Sequence, residues 1–348
     1  MLKKYTIRDI AEMAGVSKGT VDRVLHKRGK VSEDALKKVN KVLDAIDFRP
    51  NPIAKNLKNN KIYRLCLLFP SPEQDVFWSP CLSAVQEIEN NYKNFGIQIE
   101  HYPFDADSTK SFTETARRVI ESKPDALLMV PLFYYEAQEI SEQCEKEDIL
   151  ISTFNNTIDA ESPRNFIGQD LYHSGRIAAK LFDMLLTKGQ LAVVHIDQDF
   201  KNATHMQEKE RGFLSYFEEG DKTAFAISKF NIKKDPTADY TQLLQNYLDE
   251  NPSIDGVFIT TSKTYIAGDI NAESDKKRTI IGYDLIAKNT THLQNGNIDF
   301  LIHQNIKKQT YNGLRNLIEF FLFDKEIPKK QLIPIDIVNS ENYLQYLS

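Results

Sequence analysis

The sequence has 348 residues, of which 41% are hydrophobic and 27% charged, a composition that excludes a disordered chain and predicts a globular protein of two or three domains. Its formal net charge of −5 hides an asymmetry, because residues 1–60 hold 14 Lys/Arg against 7 Asp/Glu whereas the remainder holds 30 against 42. A basic amino-terminal part joined to an acidic remainder favours phosphate contact at one end only.

No targeting or membrane segment is expected. The first residues lead into the run Tyr-Thr-Ile-Arg at 5–8 and not into the apolar core of a secretory signal. The apolar run 65–69 is too short to span a bilayer. Three scattered cysteines, Cys66, Cys81 and Cys144, are expected to be reduced thiols in the core. These features predict a cytoplasmic protein without a membrane partner.

The first predicted helix begins at a capping box, in which the side chains of Thr6 and Asp9 each bond the backbone N–H of the other. It ends at Gly15, and its apolar stripe has helical spacing. That stripe consists of Ile7, Ile10, Ala11 and Ala14. A third helix, capped by Ser32, is expected to close a small core with Leu36, Val39, Leu43 and Ile46.

The helix between these two is capped by Ser17. One stripe of it, formed by Val21, Val24 and Leu25, is apolar and expected to be buried. The opposite face is polar and carries Lys18, Gly19, Asp22, Arg23 and His26. Helix, glycine-containing turn and second helix make a helix-turn-helix, and this polar face suits insertion into a DNA major groove.

Residues 49–61 join this basic segment to the rest of the chain. Asn51 is a good helix cap and Pro52 suits a first helical position, which predicts a short helix over residues 52–58. Seven residues are too few for a stable isolated helix. We therefore expect this helix to be ordered only when DNA and a partner chain support it.

These features together resemble the DNA-binding headpiece of the LacI/GalR (lactose-repressor-like) transcriptional regulators. The resemblance is carried by residues 6–11, 14–17, 20–21 and 23–25 and, for the family's hinge helix, by 48–57. It implies a homodimer on palindromic double-stranded operator DNA, with Leu57 wedged between base steps in the minor groove. It implies DNA contacts from Thr6, Ser17, Lys18, Gly19, Thr20, Asp22, Arg23, His26, Asn51, Ala54 and Leu57.

Asp22 stands where relatives usually have a small residue. An acid facing the groove could accept a hydrogen bond from a cytosine amino group or could orient Arg23. Both interpretations stay open.

From Ile62 onward, apolar runs of strand length alternate with helical patterns, which predicts a doubly wound α/β fold. The run 65–69 is hydrophobic on both faces, as a buried parallel strand is. Further strands are predicted over 97–102, 126–130, 149–153, 191–196, 224–230, 256–260, 279–282 and 300–304. Helices are predicted, among others, over 109–122, 171–187, 207–219 and 307–323.

One internal repeat is visible, since residues 123–130 are similar to 251–259. In both segments a Pro ends a helix, and Asp125 or Asp255 introduces a buried strand. The repeat suggests two similar lobes and, together with the headpiece, fits the family's type I periplasmic-binding-protein-like body.

The expected organisation is a small all-α helix-turn-helix headpiece followed by a two-lobed α/β domain, each lobe a doubly wound parallel sheet. The predicted domains are the headpiece (1–48), the hinge and linker (49–61) and the effector-binding domain (62–348). The N-lobe is predicted over about 62–166 and 305–327, and the C-lobe over about 167–304 and 328–348.

Motifs of common enzyme classes are absent from the sequence. It has no G-x-G-x-x-G or Walker A phosphate loop, no H-E-x-x-H or C-x-x-C pair and no G-x-S-x-G elbow. His205 and Glu208 share a helix face at i, i+3, but without further ligands they are interpreted as a solvated face. We therefore expect no enzymatic activity, no cofactor and no bound metal ion.

Open α/β sheets bind ligands beyond the carboxyl ends of their strands, so the loops there hold the candidate pocket. Asp75, Phe77 and Trp78 resemble the segment with which sugar-binding relatives stack an aromatic pair on a pyranose. The alternative is that Trp78 caps a core helix, since aromatic residues are common in cores. Asp284 matches the family's acidic acceptor of sugar hydroxyls, and the alternative is a cap of the next helix. Gln304 stands where relatives have a ligand-contacting Gln at a crossing between lobes.

Three parts of the candidate pocket depart from the family pattern. Asn155 and Asn156 replace a frequent Asp-Arg pair, Lys209 replaces an Arg, and Thr261 and Ser262 replace Asn-Asp. Because Lys lacks the bidentate fork of Arg, a contact from Lys209 to a ligand carboxylate is less favourable. The pocket is thus less charged than usual, which favours a neutral sugar or polyol.

The sequence predicts a DNA-binding transcriptional regulator, most often a repressor in this family, whose operator affinity is controlled by a small ligand bound between two lobes. One alternative is a transport-type solute-binding protein, against which the headpiece and the missing signal peptide count. Another is a sugar-metabolising enzyme fused to a DNA-binding head, against which the missing phosphate loop counts. The effector, the operator, the sign of regulation and the choice between dimer and tetramer stay open.

Overall fold

A computed structural model describes residues 5–25, 29–46, 61–158, 165–196, 203–219, 224–233, 235 and 237–347. The chain divides into two compact units, Met1–Lys61 and Ile62–Ser348. The predicted hinge helix and four predicted DNA contacts lie outside the described residues. Those contacts are His26, Asn51, Ala54 and Leu57.

The described part of the first unit contains three helices, α1 (Ile7–Ala14), α2 (Lys18–Leu25) and α3 (Glu33–Ala45). The predicted capping box is confirmed, since Asp9 N donates to Thr6 Oγ1 at 3.3 Å and Thr6 N donates to Asp9 Oδ2 at 2.7 Å. Gly15 ends α1 at a φ of 63°, a left-handed conformation that glycine adopts without strain. The three predicted helices are therefore present, with the turn of a helix-turn-helix between the first two.

The core of this unit is small. It consists of Ile10, Ala11, Ala14, Val21 and Val39, with Leu43 and Ile46 packed against it. Ile7 and Leu36, predicted within the apolar stripes, are instead 37% and 41% exposed. Each lies in the first turn of its helix, and a unit of this size has too little chain to cover the ends of every apolar stripe.

The second unit alternates strands and helices, as predicted. Its strands are β1 (Tyr63–Pro70), β2 (Ile97–Phe104), β3 (Ala126–Met129), β4 (Leu150–Phe154), β5 (Asn165–Gly168), β6 (Gly189–Ile196), β7 (Phe225–Ile232), β8 (Ile254–Ile259), β9 (Thr279–Tyr283), β10 (Phe300–His303), β11 (Lys330–Leu332) and β12 (Asp336–Val338). Its helices are α4 (Ser79–Tyr92), α5 (Thr109–Glu121), α6 (Tyr134–Lys146), α7 (Leu171–Leu185), α8 (Thr204–Glu219), α9 (Tyr240–Glu250), α10 (Tyr265–Glu273), α11 (Ala287–Gln294) and α12 (Ile306–Phe323).

Two six-stranded sheets form this unit, in the orders β11-β5-β4-β3-β1-β2 and β12-β10-β9-β8-β6-β7. The two orders correspond position for position, so the unit consists of two similar lobes. Oδ2 of Asp125 accepts from Arg64 N at 2.8 Å, and Oδ2 of Asp255 accepts from Gln190 N at 3.2 Å. Both repeated acids therefore tie their strand to its neighbour in the same way, which confirms the internal repeat.

Within its described residues the chain crosses between the lobes three times: after β5, between β10 and α12, and between β11 and β12. Two predicted lobe boundaries are wrong. β5 extends the N-lobe to Gly168, and β11 pairs with β5, so the third crossing lies at 333–335 and not at 327/328. These strands have three or four residues and no apolar run long enough to mark them in the sequence.

Helices α7 and α8 approach each other closely at two glycines. A Cβ on Gly212 would lie 1.9 Å from the backbone oxygen of Tyr172, and one on Gly175 would lie 2.0 Å from that of Lys209. Only glycine permits this approach. The contact holds the turn of α8 that carries Lys209, a predicted ligand residue, against α7.

The second unit contains the three cysteines of the sequence. Cys66, Cys81 and Cys144 are free and buried, as predicted. Burial raises the pKa of Cys66 to about 11, so this thiol is uncharged at neutral pH. No helix within the described part of the chain is long and apolar enough to cross a membrane.

Candidate functional site

The polar face of α2 has the properties that a DNA-reading helix requires. The predicted contact residues Thr6, Ser17, Lys18, Gly19 and Arg23 are exposed, and Thr20 and Asp22 are half-buried. Ser17 Oγ accepts from Thr20 N at 3.1 Å and lies 2.9 Å from Thr20 Oγ1, so the predicted cap of α2 is present. Val21 is fully buried on the opposite side.

The predicted aromatic pair follows β1, at the carboxyl end of the N-lobe sheet. Asp75 caps a 3-10 turn, Val76–Trp78, through a bond from Phe77 N to its Oδ1 at 3.0 Å. The Phe77 and Trp78 rings meet edge to face, with centroids 4.7 Å apart. Trp78 is only 4% exposed, belongs to the N-lobe core and stands at the N-cap of α4, as the alternative interpretation holds. Phe77 is half-buried at the surface of that core. Phe77 is therefore the better placed of the two to meet a ligand.

Asn155 and Asn156 follow β4 in the same lobe. Asn155 adopts a left-handed φ of 66°, which Asn tolerates better than most residues. Both side chains are buried, at 7% and 1% exposure. Nevertheless Nδ2 of Asn155 and both polar side-chain atoms of Asn156 have no hydrogen-bond partner within the described residues. Buried amides are normally satisfied, so these atoms are available to a partner such as a water molecule or a ligand.

Asp284 and Gln304, predicted from separate loops of the C-lobe, come together. Gln304 donates to Asp284 twice, from Nε2 to Oδ2 at 2.8 Å and from its backbone N to Oδ1 at 3.2 Å. Burial raises the pKa of Asp284, while the Lys209 charge and the Gln304 bonds oppose that shift. Ile286, and not Asp284, stands at the cap of α11, and no side chain caps that helix. The helix-cap alternative for Asp284 is therefore wrong.

Lys209 is turned into the C-lobe. Its Nζ donates to Thr260 O at 2.9 Å and lies 3.6 Å from the centroid of the Tyr283 ring. Burial lowers the pKa of this ammonium, and the charge of Asp284 opposes the shift. The hydrogen bond, the aromatic face and the nearby carboxylate already engage the cation. The Lys209 ammonium therefore already has partners within the C-lobe.

A buried polar chain stands behind Lys209. His195 lies between Thr260 Oγ1, at 2.8 Å from its Nδ1, and Glu210 Oε2, at 2.7 Å from its Nε2. Lys229 donates to the second oxygen of Glu210 at 2.6 Å. Thr260 thus contacts His195 through its hydroxyl and Lys209 through its backbone carbonyl, so this polar network helps to hold the carbonyl that binds the Lys209 ammonium.

Thr261 and Ser262 lie in the loop that follows β8. Oγ1 of Thr261 accepts from Lys263 N at 3.4 Å, and Ser262 is half-buried. Asn289, which lies outside the predicted pocket residues, donates to the carbonyls of Ser262 and Asp284, each at 2.8 Å. This fully buried amide joins two predicted site loops. Its only sequence signal is a polar residue on a helix face that is otherwise expected to be buried.

His205 and Glu208 do not form the shared solvated face that the sequence suggests. Glu208 pairs with Arg211, with Oε2 2.5 Å from Nη2. His205 is half-buried, and burial together with the charges of Lys209 and His195 lowers its pKa. No group of three or more His, Cys, Asp or Glu side chains that could hold a metal ion occurs in the described segments.

Comparison with known proteins shows two family matches in this chain. Residues 6–51 match the bacterial regulatory proteins of the lacI family, and residues 65–321 match the periplasmic binding protein domain family. The chain belongs to the lacI family. It is therefore a DNA-binding transcriptional regulator with a ligand-binding body of the periplasmic-binding-protein type.

Individual relatives span the same architecture. The chain is 24% identical to the sucrose operon repressor of Streptococcus mutans over 98% of this chain and 100% of that protein. It is 25% identical to the ribose operon repressor of Halalkalibacterium halodurans over 77% and 74% of the two chains. A crystal structure assigned as a LacI transcriptional regulator from Bacteroides fragilis is 25% identical, with a TM-score of 0.77 over 82% of this chain and all of that chain. The glucose-galactose binding protein GanP of Geobacillus stearothermophilus, at 14% identity and a TM-score of 0.71 over 81% and 99% of the chains, shares the fold.

Proposed function

We propose that this lacI-family regulator is a cytoplasmic, homodimeric repressor that binds a palindromic operator and responds to a neutral sugar or polyol bound between its lobes. Its similarity to proteins named as sucrose and ribose operon repressors supports the repressor role. The exposed polar face of α2, with Lys18 and Arg23, supports direct readout of operator bases.

One observation carries the ligand class: the unsatisfied buried amide atoms of Asn155 and Asn156. Amides both donate and accept hydrogen bonds, as sugar hydroxyls do. Leaving a buried polar group unpaired costs about 1–3 kcal/mol. A ligand rich in hydroxyl groups would remove that penalty at three atoms.

Charge in the candidate cleft disfavours an anionic ligand. Lys209 is already engaged inside the C-lobe. Burial is the main cause of the raised pKa of Asp284, and the negative charge of Asp75 adds to it. A phosphorylated or carboxylated sugar would add negative charge beside these acids, where the Lys209 ammonium is already engaged. Neutral ligands avoid that repulsion.

A thermal-shift panel tests the ligand class. It contains sucrose, D-ribose and other neutral sugars and polyols, their phosphates, and nucleobases. A true effector stabilises the folded protein by mass action, so we expect the largest shift from a neutral compound. The variant Asn156→Leu is expected to lose that shift, whereas Asn246→Leu, an exposed change on α9, keeps it. A larger shift with a sugar phosphate would overturn the neutral-ligand proposal.

The regulatory role has a separate test. An electrophoretic shift assay on the promoter region beside the protein's own gene is expected to show sequence-specific binding that the selected sugar changes. An ATP-turnover assay with the same sugar is expected to show no activity, in keeping with a regulator that is not an enzyme. Turnover of the sugar would instead support the enzyme alternative.

A further inference from the structure

The three crossings between the lobes meet at one buried amide. Gln169 occupies the first crossing and is 2% exposed. Its Nε2 donates to His303 O, at the second crossing, at 2.9 Å and to Pro334 O, in the third, at 2.8 Å. A primary amide has two N–H donors, so Gln169 uses both of them on the other two crossings.

A second amide binds the adjacent backbone carbonyl. Gln309 of α12 is fully buried, and its Nε2 donates to Gln304 O at 2.7 Å. Its Oε1 accepts from Asn155 N at 2.9 Å. Two successive carbonyls of the second crossing, those of His303 and Gln304, are thus each bound by an amide from another segment. The same bonds connect the Asn155 loop of the N-lobe to the Gln304–Asp284 pair of the C-lobe.

The internal repeat places Gln169 and Gln304 at equivalent positions. Each is the first residue after its strand, β5 or β10, and each precedes the residue that caps the next helix, Asp170 or Asn305. Gln304 directs its amide to Asp284 in the candidate cleft. Gln169 directs the equivalent amide to the crossings. The same position of the repeat therefore contributes to the candidate site in one lobe and to the crossings between the lobes in the other.

We propose that Gln169 is a positioning residue of the regulatory response. By bonding the three crossings to one another, it restricts the relative motion of the lobes to opening and closing about one point. Three unlinked crossings would permit twist and shear as well as closure, whereas crossings bonded to one another at a point favour rotation about that point. A ligand that closes the cleft then changes one angle. The inference rests on the proposed function only in its last step, from lobe angle to operator affinity.

The test compares two matched substitutions in the full chain. Gln169→Met keeps the length of the side chain and removes both donors. Gln331→Met makes the same chemical change on β11, where the Gln331 amide oxygen accepts from Asn316 within one lobe at 2.8 Å. Spin labels at Glu89→Cys on α4 and Glu250→Cys on α9, both exposed positions, report the distance between the lobes by double electron–electron resonance.

We expect one narrow distance distribution in the parent chain and in Gln331→Met, and about double that width in Gln169→Met. A parent-like width in a folded Gln169→Met protein overturns the proposal. If that variant is too unstable to label, Gln169→Asn takes its place, because its amide is one methylene too short to reach both carbonyls. An unchanged width in Gln169→Asn then counts against the proposal in the same way.

A second measurement distinguishes the role of Gln169 at the lobe crossings from the proposed function. With the sugar selected by the thermal-shift panel, the ratio of operator Kd values with and without sugar is expected to fall towards one in Gln169→Met and to stay parent-like in Gln331→Met. A ratio that stays parent-like in Gln169→Met contradicts the positioning role. If no compound in the panel stabilises the protein, that result weighs against the proposed function. The distance measurement still decides whether Gln169 restricts the motion of the lobes.

Discussion

Asp284 is the residue on which the pH response of the candidate cleft depends. Burial raises the pKa of its carboxyl, so acidification from about pH 7 to about pH 5 protonates it earlier than an ordinary aspartate. A protonated carboxyl accepts fewer hydrogen bonds from sugar hydroxyls. We expect effector affinity to fall over this range in the parent protein. The variant Asp284→Asn should bind weakly at every pH, and calorimetric titration with the selected sugar measures both.

The effect of Asp284 on stability has the opposite sign. Because the folded protein holds this proton more tightly than the unfolded chain, the contribution of Asp284 to the free energy of unfolding increases as pH falls through its raised pKa. Acid should therefore weaken ligand binding while this one group favours the fold. An Asp284→Asn variant that retained the parent's pH slope for binding would show that another group controls it.

Phe77 and Trp78 are adjacent in sequence but have different surroundings. Trp78 is 4% exposed within the N-lobe core, so Trp78→Ala is expected to reduce the free energy of unfolding by about 3–5 kcal/mol. Phe77 is half-buried, and Phe77→Ala should remove effector stabilisation at a smaller loss of stability. Urea unfolding and the thermal-shift assay separate the two effects. Full effector response in Phe77→Ala would rule out stacking on that ring.

At the scale of elements, the contact between α7 and α8 is the one most sensitive to added volume. In Gly212→Ala, the new Cβ would lie 1.9 Å from a backbone oxygen, which cannot move as a side chain tip can. Overpacking of this kind costs about 1–3 kcal/mol. We expect a lower free energy of unfolding for the body and weaker effector binding, because α8 carries Lys209. Gly19→Ala is the control, since among the described residues its Cβ would lie 3.8 Å from Ser17 Oγ and meet no closer atom. Equal stability of the two variants would contradict the close packing of α7 on α8.

Arg23 on helix α2 is expected to contribute to the discrimination between operator bases. Arg23 is exposed on its polar face, and a guanine contact from it is worth about 1–3 kcal/mol of discrimination. Arg23→Ala should therefore weaken operator binding by that amount and relax base preference within each half-site. Binding to a library of half-site variants measures both quantities. A loss of the same size on every sequence would leave Arg23 as a phosphate contact.

Length and burial determine which helices and strands can be predicted from the sequence. The headpiece helices and the long buried strands carry strong periodicity or continuous apolar runs, so they are visible in the sequence. The strands β5, β11 and β12 have only three or four residues and depend on pairing with distant strands. Pairing of that kind leaves no local signal, which is why two lobe boundaries were misplaced.

The candidate site was predictable only where a loop position carries the family pattern. Asp284 and Gln304 were expected from separate loops and are bonded to each other. Lys209 stays a predicted ligand residue, and the sequence did not indicate its bond to Thr260 O or its position over the Tyr283 ring. Gln169, Gln309 and Asn289 were missed. A lone Gln or Asn in a sequence resembles a surface residue, and only the fold shows that backbone carbonyls surround it.

For the whole molecule, regulation requires that two separate units influence each other, and residues 49–61 join them. Thermodynamic linkage then sets a condition on any mechanism: operator DNA must change effector affinity by the same factor as effector changes operator affinity. Equilibrium titrations of each ligand with and without the other measure the two factors. A hinge that is helical only on DNA would supply the bistable element that both ligands bias.

Leu57, in that hinge, gives the last prediction, which rests on the resemblance because the residue lies outside the described part of the chain. A leucine wedge from each subunit unstacks a base step and bends the operator, which costs a few kcal/mol per step and is repaid only where the headpieces are correctly seated. Leu57→Ala should therefore weaken operator binding much more than binding to random DNA. Effector affinity of the DNA-free protein should stay unchanged, because the cleft residues belong to the other unit. Titrations against operator and random duplexes at one salt concentration make the comparison. Equal losses on the two would assign Leu57 to general packing and leave the bend without its wedge.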